Sequence, residues 1–194
     1  MVGTVADTLL AQHGRALALY GRLVHAVTED QWGAPTPCTE WTVRDLVNHV
    51  TGEQLWVPPL VTHGKTVAEV GESLSGDLLG EDPAGAWDRA AAGAVAAFGA
   101  PGALERTVQL SYGPTKAMAY CSELTADVVV HAWDLARGIG ADDRLPADLV
   151  EFSIKEVMPY VDGLAASGMY AEPLEVPAGA DAQTRLLGLL GRRG

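Results

Sequence analysis

The sequence predicts an all-α protein, a four-helix bundle with short extra helices and at most a minor extended segment. Apolar residues recur at helical spacing in four long segments. Alanine, leucine and valine are abundant, whereas aromatic residues make up only 6% of the 194 residues, a composition typical of helices packed through small side chains. Two longer connections suit a bundle, and the chain length fits a single domain over 1–194.

The first two helices are delimited by clear local signals. Leucine, alanine, tyrosine and valine form one apolar face over 4–27, which predicts the first helix. The second helix is predicted to begin after Thr42, because Thr42 and Asp45 have the spacing of a capping box. It is predicted to stop at Pro58 and Pro59, since proline interrupts the helical hydrogen-bond ladder.

The middle of the chain alternates between loops and helices. Residues 60–81 are rich in glycine and polar groups, which favours a loop with one short helical turn. A third helix is predicted from Asp82 as N-cap and Pro83 as the first helical residue. Residues 104–112 alternate weakly, which indicates a short extended segment ending before a Gly-Pro pair.

The last third of the chain is again helical in pattern. The fourth and most apolar helix is predicted over 116–138, ending at Gly138 or Gly140. A fifth helix is predicted over 146–167, bent or cut at Pro159. The tail carries one further short amphipathic helix.

Composition excludes several classes of protein. The net charge is -12 and the basic residues are scattered apart from Arg192 and Arg193, so there is no basic face for nucleic acid. Two cysteines are too few for a disulfide framework or a four-thiolate zinc site. There is no signal peptide and no membrane-spanning apolar run, so we expect a cytoplasmic protein.

One pair of polar residues lies where an apolar face is expected. Asp127 and His131 are four residues apart on the fourth predicted helix, on the same side as Leu124 and Leu135. A carboxylate buried there needs a partner, and a divalent metal ion is one candidate. The alternative is an ordinary hydrogen bond within the helix, or a solvated pair.

A third ligand is predicted on the second helix. His49 lies between Val47 and Val50 in the middle of that helix, although a single histidine there is also compatible with a satisfied core residue. Asp45, one turn earlier, has two alternatives: pairing with His49 or supporting it from outside the coordination shell. The metal-ligand set is therefore predicted as His49, Asp127 and His131.

The remaining histidines, cysteines and tryptophans are assigned structural places. His13 and His25 are predicted at the surface or boundary of the first helix, and His63 in a loop. Cys38 precedes the second helix, where a lowered thiol pKa and a buried structural role are the alternatives, while Cys121 is predicted to pack. Three tryptophans are predicted in the core or lining a pocket: Trp41, Trp56 and Trp133.

Two long motifs carry a resemblance to a known family. "TPCTEWTVRDLVNHV" and "ADVVVHAWDLARGIG" resemble the actinobacterial branch of the DinB/YfiT-like superfamily. More closely, they are similar to the metal-binding N-terminal domain of mycothiol-dependent maleylpyruvate isomerase. The tail "DAQTRLLGLLGRRG" resembles the ending of short actinobacterial members, so the resemblance spans nearly the whole chain.

The resemblance implies a DinB-like bundle with helices running up, down, down and up. It implies a divalent metal, most often zinc, with nickel, manganese or iron as alternatives, held by His49, Asp127 and His131. The isomerase has glutamate in place of Asp127, and the shorter side chain here implies either a changed metal preference or a looser site. The isomerase also carries a C-terminal domain that contributes to catalysis. We expect this chain to lack that domain and therefore not to isomerise maleylpyruvate.

The resemblance further implies chemistry on a small-molecule thiol. Related members are thiol transferases acting with mycothiol or bacillithiol, in which a thiol at an open metal position loses its proton and attacks an electrophilic substrate. We therefore expect a metal-dependent transferase or isomerase-like enzyme. Its oligomeric state stays open, although bundles of this type often pair as homodimers through an apolar helix face. Two alternatives stay open: a non-catalytic metal- or small-molecule-binding protein, and a biosynthetic enzyme with altered metal chemistry. Asp134 is assigned either to orienting a ligand or to a surface salt bridge.

Overall fold

A computed structural model describes residues 4–161, 163 and 171–194, and over these residues it confirms the all-α fold. Seven α-helices and one two-stranded sheet occur in the described part of the chain. The helices are α1 Val5–Ala26, α2 Val43–Val57, α3 Val67–Val70, α4 Pro83–Gly99, α5 Ala117–Ile139, α6 Ala147–Val157 and α7 Ala182–Leu189. The strands are β1 Thr107–Leu110 and β2 Gly113–Lys116.

Helices α1 and α4 run in opposite directions along the bundle. The Tyr20 ring lies 4.7 Å from Trp87, near the end of α1 and the start of α4. The His13 ring lies 5.3 Å from Phe98, near the start of α1 and the end of α4. His13 also contacts Thr125 in the first half of α5, and Gln31, just after α1, donates to the Ile139 carbonyl at the end of α5, so α1 and α5 run in the same direction.

Helices α2 and α5 are likewise antiparallel. Val43 at the start of α2 packs against Gly138 at the end of α5. Farther along, the His49 and His131 rings lie 5.4 Å apart. The four long helices therefore run up, down, down and up, and the second and fourth of these in chain order lie side by side where the candidate site is.

The helix ends follow the local chemistry predicted for them. Thr42 accepts from the backbone N–H of Asp45, whose side chain accepts from the N–H of Thr42, so the predicted capping box is present. Asp82 caps α4 through the N–H of Gly85, with Pro83 as the first helical residue. Helix α5 ends at Gly140, whose φ of 69° places it in the left-handed region that glycine tolerates.

Three local features differ from the expectations or add to them. The α-helix ends at Val57, as predicted from Pro58 and Pro59, but a π-helical turn follows over Pro58–Thr62, because proline lacks the N–H for the α-helical ladder while its fixed φ suits a helical turn. The loop over 60–81 contains two short turns, α3 and a 3-10 turn at Gly71–Leu74. The predicted extended segment is confirmed as β1, which ends at Leu110; the sequence did not predict the second strand, β2, which starts at Gly113 and pairs antiparallel with β1.

The fifth predicted helix is shorter in the structure. Helix α6 ends at Val157 and passes into a 3-10 turn, Met158–Tyr160, around Pro159, so the predicted cut is confirmed. Residues 162 and 164–167 of that predicted helix lie outside the described residues.

Helix α5 is enclosed from several directions. It packs against α1, α2 and α6, and its Ala126 and Val130 share an apolar cluster with Leu186 and Leu190 around α7. This enclosure explains why most of the residues of α5 are buried. None of the helices among the described residues has the length and apolar character needed to cross a membrane.

Candidate metal centre

The three predicted ligand residues come together between α2 and α5. One donor atom each from His49, Asp127 and His131 lies within 4.8 Å of the other two. Asp127 Oδ1 is 3.4 Å from His131 Nε2, and the two imidazole rings are nearly perpendicular, at 80°. The antiparallel pairing of α2 with α5 brings His49 opposite the Asp127–His131 turn.

The site is largely shielded from water. The His131 side chain is 6% exposed and that of Asp127 is 19% exposed. Trp41, which directly precedes the cap of α2, stacks on His49 at 4.6 Å and lies 6.0 Å from the His131 ring. Outside Trp41 and His49 there is a shallow cleft of about 420 Å³, which gives His49 an approach from solvent.

A buried carboxylate fixes the orientation of His131. The Nδ1–H of His131 donates to Asp134 Oδ2 at 2.8 Å, and Asp134 is 0% exposed. Arg192 holds the same carboxylate, with Nε 2.8 Å from Oδ1 and Nη2 2.7 Å from Oδ2. Because Nδ1 is engaged in this way, Nε2 is the nitrogen that faces Asp127 and His49.

This geometry corrects one of the two expectations for Asp134. Its ion pair is buried and is not a surface salt bridge; its contact with His131 matches the orienting role. Burial raises the pKa of Asp134, but the hydrogen bonds from His131 and Arg192 outweigh burial and lower the pKa to about 2. The carboxylate is therefore ionised at every pH at which the protein is expected to work.

A second donor group shares His131 with the first. Cys38, His131 and Asp134 also place one donor atom each within 4.8 Å of one another. The half-buried Cys38 thiol donates to Asp134 at 3.4 Å, and the Arg192 guanidinium lies 3.7 Å from its sulfur. Since Arg192 already supplies a positive charge there, a second cation is disfavoured, and we interpret this group as support for His131.

The two imidazoles of the site have opposite pKa shifts. Burial by itself lowers the pKa of His131, but the Asp127 charge and hydrogen bonds to Asp127 and Asp134 raise it well above 6.5. For His49 burial prevails over the attraction of Asp127, so its pKa is lowered. The two carboxylates thus favour the protonated imidazole, and a metal ion at Nε2 would replace that proton.

The sequence reasoning missed Glu53. This residue follows His49 by one turn on α2. Burial is the main cause that raises its pKa to about 7; the Asp127 charge also raises this pKa, and the His131 charge lowers it. The signal was present, because His49 and Glu53 have the same four-residue spacing as Asp127 and His131.

Tyr20 on α1 was also missed. Its hydroxyl is buried and has no hydrogen-bond partner among the described residues. Burial first, and then the charges of Asp127, Asp134 and Cys38, raise its pKa well above 10. The phenol therefore stays protonated within electrostatic reach of the donor cluster.

The other candidate residues lie outside the cluster. Asp45 is bound to Thr42 in the helix cap, and the described residues contain no hydrogen bond between Asp45 and His49. His25 is exposed and contacts Asp88, as expected for a surface histidine. Packing is confirmed for Cys121 and Trp133, which are buried. Trp41 lines the cleft beside His49, and Trp56 packs, partly buried, against an apolar cluster. His63 is exposed in a turn, as expected for a loop histidine.

His13 does not lie at the surface or boundary, as the sequence suggested. It is 1% exposed, and its Nδ1 donates to Thr125 Oγ1 at 3.1 Å because that hydroxyl in turn donates to the Cys121 carbonyl. The physical reason is its place on the core face of α1, one turn from the buried Leu9 and Leu17.

The donor set fits a divalent cation. Two imidazole nitrogens and a carboxylate oxygen suit zinc, nickel, manganese and iron. Donors bound to one such ion lie roughly 3–4 Å apart, because each bond is about 2.0–2.2 Å long. The present spacing, up to 4.8 Å, requires side-chain adjustments of about 1 Å. That these residues are metal ligands stays a prediction.

Helices running up, down, down and up, with nitrogen and oxygen donors gathered between two of them, define the class: a DinB-like bundle of the metal-binding kind. The chain belongs to the mycothiol maleylpyruvate isomerase N-terminal domain family, whose model matches residues 13–136. The resemblance in the two long motifs is thereby confirmed, and with it the mycothiol-related character of the domain.

Curated relatives come from mycobacteria. Two uncharacterized proteins of Mycobacterium tuberculosis, from strains CDC 1551 / Oshkosh and ATCC 25618 / H37Rv, are each 35% identical over 152 residues. The match covers 74% of this chain and 73% of each relative. No solved structure matches the chain.

Proposed function

We propose that the protein is a cytoplasmic, metal-dependent enzyme that activates a small-molecule thiol for attack on an electrophilic substrate. The family name points to mycothiol as that thiol. The observation that carries the proposal is the convergence of His49, Asp127 and His131, with donor atoms within 4.8 Å, in a shielded place beside a cleft. We propose these three residues as the metal ligands, with zinc as the preferred ion.

Each residue of the site has a defined task in this proposal. A divalent ion supplies Lewis acidity, which lowers the pKa of a coordinating thiol into the neutral range. Asp134 holds the His131 ring through Nδ1, so that the Nε2 lone pair is directed at the ligand cluster. Asp127 balances the charge of a cation, and Trp41 covers the imidazole of His49.

The number of donors favours catalysis over a structural role. Structural zinc sites are closed by four protein ligands, while catalytic sites keep a position for water or substrate. The cluster comprises three donors among the described residues, which leaves room for a thiol sulfur.

Elemental analysis of protein purified without a histidine tag tests the metal site. We expect about one equivalent of metal per chain in the wild type and a near-complete loss in His49→Ala. His25→Ala is the matched control, because His25 is an exposed histidine on α1 and should leave the metal content unchanged. Near-zero metal in the wild type after zinc reconstitution would remove the site.

A thiol-consumption assay tests catalysis separately. Metal-loaded protein incubated with mycothiol and monochlorobimane should consume thiol faster than metal-free protein and faster than His49→Ala. Equal rates, together with one bound metal per chain, would leave a metal-binding protein without transferase activity. Replacing mycothiol by cysteine in the same assay reports whether the thiol is recognised specifically.

A further inference from the structure

The residues that follow α7 reach into the surroundings of the candidate metal centre. Helix α7 ends in a Schellman motif: the N–H of Gly191 donates to Gly188 and the N–H of Arg192 donates to Leu187, at 3.1 and 2.8 Å. Gly191 has a φ of 71°, which only glycine adopts readily. The motif turns the chain so that Arg192 points back to α5.

Arg192 makes a two-bond contact with the buried carboxylate of Asp134. Its Nε is 2.8 Å from Oδ1 and its Nη2 is 2.7 Å from Oδ2. The arginine side chain is only 11% exposed, and its Nη1 donates to the Leu190 carbonyl at 3.2 Å. A planar guanidinium held in this way fixes the plane of the carboxylate as well as its charge.

The orientation of that carboxylate determines the orientation of His131. Asp134 Oδ2 accepts the Nδ1–H of His131 at 2.8 Å, while the opposite nitrogen, Nε2, faces Asp127 at 3.4 Å. Without the guanidinium, Asp134 would be a buried charge with weaker compensation and freedom to rotate. The imidazole would then lose the partner that holds Nε2 toward His49.

The geometry points to Arg192 as a positioning residue of the metal centre, which acts through Asp134 to hold His131 in its ligating orientation. This inference rests on the proposed metal site. It extends the site beyond the family match, which ends at residue 136, to the segment that follows α7, a helix packed against α5 and α6. The outer partners of ligating histidines typically change metal affinity by about 10- to 100-fold.

The test compares two neighbouring arginines. Zinc affinity, measured by competition with a chromophoric chelator, should fall about 10- to 100-fold in Arg192→Met. Arg193→Met, at an exposed position one residue on, should bind zinc like the wild type. Arg192→Lys should fall between them, since one ammonium group cannot reproduce the two-bond contact. Equal affinities of Arg192→Met and Arg193→Met would overturn the inference.

A double-variant cycle separates positioning from a general loss of structure. If Arg192 acts through Asp134, then Asp134→Asn combined with Arg192→Met should bind zinc no more weakly than Asp134→Asn alone. If the double variant instead loses zinc affinity by the product of the two single losses, the inference is contradicted. Circular dichroism and thermal melting of each metal-free variant identify any that fail to fold. If Arg192→Met fails to fold, Arg192→Lys replaces it in the comparison with Arg193→Met.

A metal-independent measurement keeps this inference distinct from the proposed function. Nitrogen-15 NMR of the metal-free protein reports hydrogen bonding at each ring nitrogen of His131. Arg192→Met should alter the Nδ1 signal of His131, and Arg193→Met should not. If the wild type binds no zinc, the proposed function fails; if the Nδ1 signal is the same in both variants, the positioning role fails.

Discussion

His13 and His131 are both buried in the bundle, yet their environments have opposite electrostatic effects. His13 is 1% exposed and meets the Thr125 hydroxyl and the edge of Phe98, so burial lowers its pKa to about 4. His131 is 5% exposed, and Asp127 and Asp134 raise its pKa well above 6.5 despite burial. Burial disfavours charge at both positions, and the carboxylates reverse the outcome at only one.

The difference indicates where function lies in the bundle. A histidine surrounded by neutral groups stays neutral and serves packing and hydrogen bonding. A histidine between two carboxylates lies in a region of negative potential that attracts either a proton or a metal cation. The paired acids of α5, rather than the presence of an interior histidine, therefore mark the candidate site.

The largest expected contrast is in metal binding. His131→Ala should weaken zinc binding by roughly 1,000-fold or more, because zinc-binding free energies of about 10–16 kcal/mol are shared among only a few ligands. His13→Gln should leave zinc affinity within about twofold. Chelator competition on both variants measures the contrast, and similar losses in the two would show that His131 contributes no more to metal binding than His13 does.

The second contrast is in the pH dependence of stability. Because the pKa of His13 falls from 6.5 in the unfolded chain to about 4 in the folded protein, the unfolded state binds more protons between these values. The free energy of unfolding contributed by His13 should therefore fall by about 3 kcal/mol as the pH drops from 6.5 to 4.

Urea unfolding of the metal-free wild type and of His13→Gln across that pH range isolates the contribution of His13. The variant should show a shallower loss of stability on acidification, whatever its stability at neutral pH. Parallel curves for the two proteins would show that the pKa of His13 is not lowered by folding.

The third contrast concerns the cause of the lowered pKa of His13. Thr125→Val removes the hydroxyl that accepts the Nδ1–H of His13, and should lower the free energy of unfolding by about 1–2 kcal/mol. Since burial is the cause of the lowered pKa, the steepness of the acid dependence should be retained. A variant with the stability loss but a flat pH profile would mean that the hydroxyl, and not burial, keeps His13 neutral.

The smallest effect is expected at Glu53, the third acidic residue near His131 after Asp127 and Asp134. Glu53→Gln removes a negative charge that acts on both Asp127 and His131, and should weaken zinc binding roughly fivefold at pH 8, where the carboxylate is largely ionised. The exposed Glu151 on α6 provides the control through Glu151→Gln. Identical zinc affinities in the two variants would show that Glu53 has no electrostatic effect on the metal site.

Local patterns were sufficient for much of this structure. Helix starts at Thr42 and Asp82 depend on neighbours within three residues, and the Asp127–His131 pair depends on a single turn. The convergence of His49 with that pair required only the expectation that two helices face each other. These features were predictable because each depends on short-range geometry or on one helix pairing.

Other features depend on contacts between distant parts of the chain. Arg192 is 58 residues from Asp134, and no spacing rule links them. The burial of His13 depends on which side of α1 meets Phe98 and α5, and its apolar neighbours one turn away were a weaker signal than its polarity. Glu53 was detectable in principle, but its raised pKa arises from tertiary burial and from the charge of Asp127.

The enclosure of α5 by α1, α2, α6 and the apolar cluster around α7 makes the two sides of the centre unequal in packing. Asp127 and His131 lie on this enclosed helix, whereas His49 on α2 borders the open cleft. The tightening of about 1 Å that a bound ion requires therefore falls to the histidine of α2. Binding of an ion would then move His49 and its part of α2 toward α5, while α5 keeps its position.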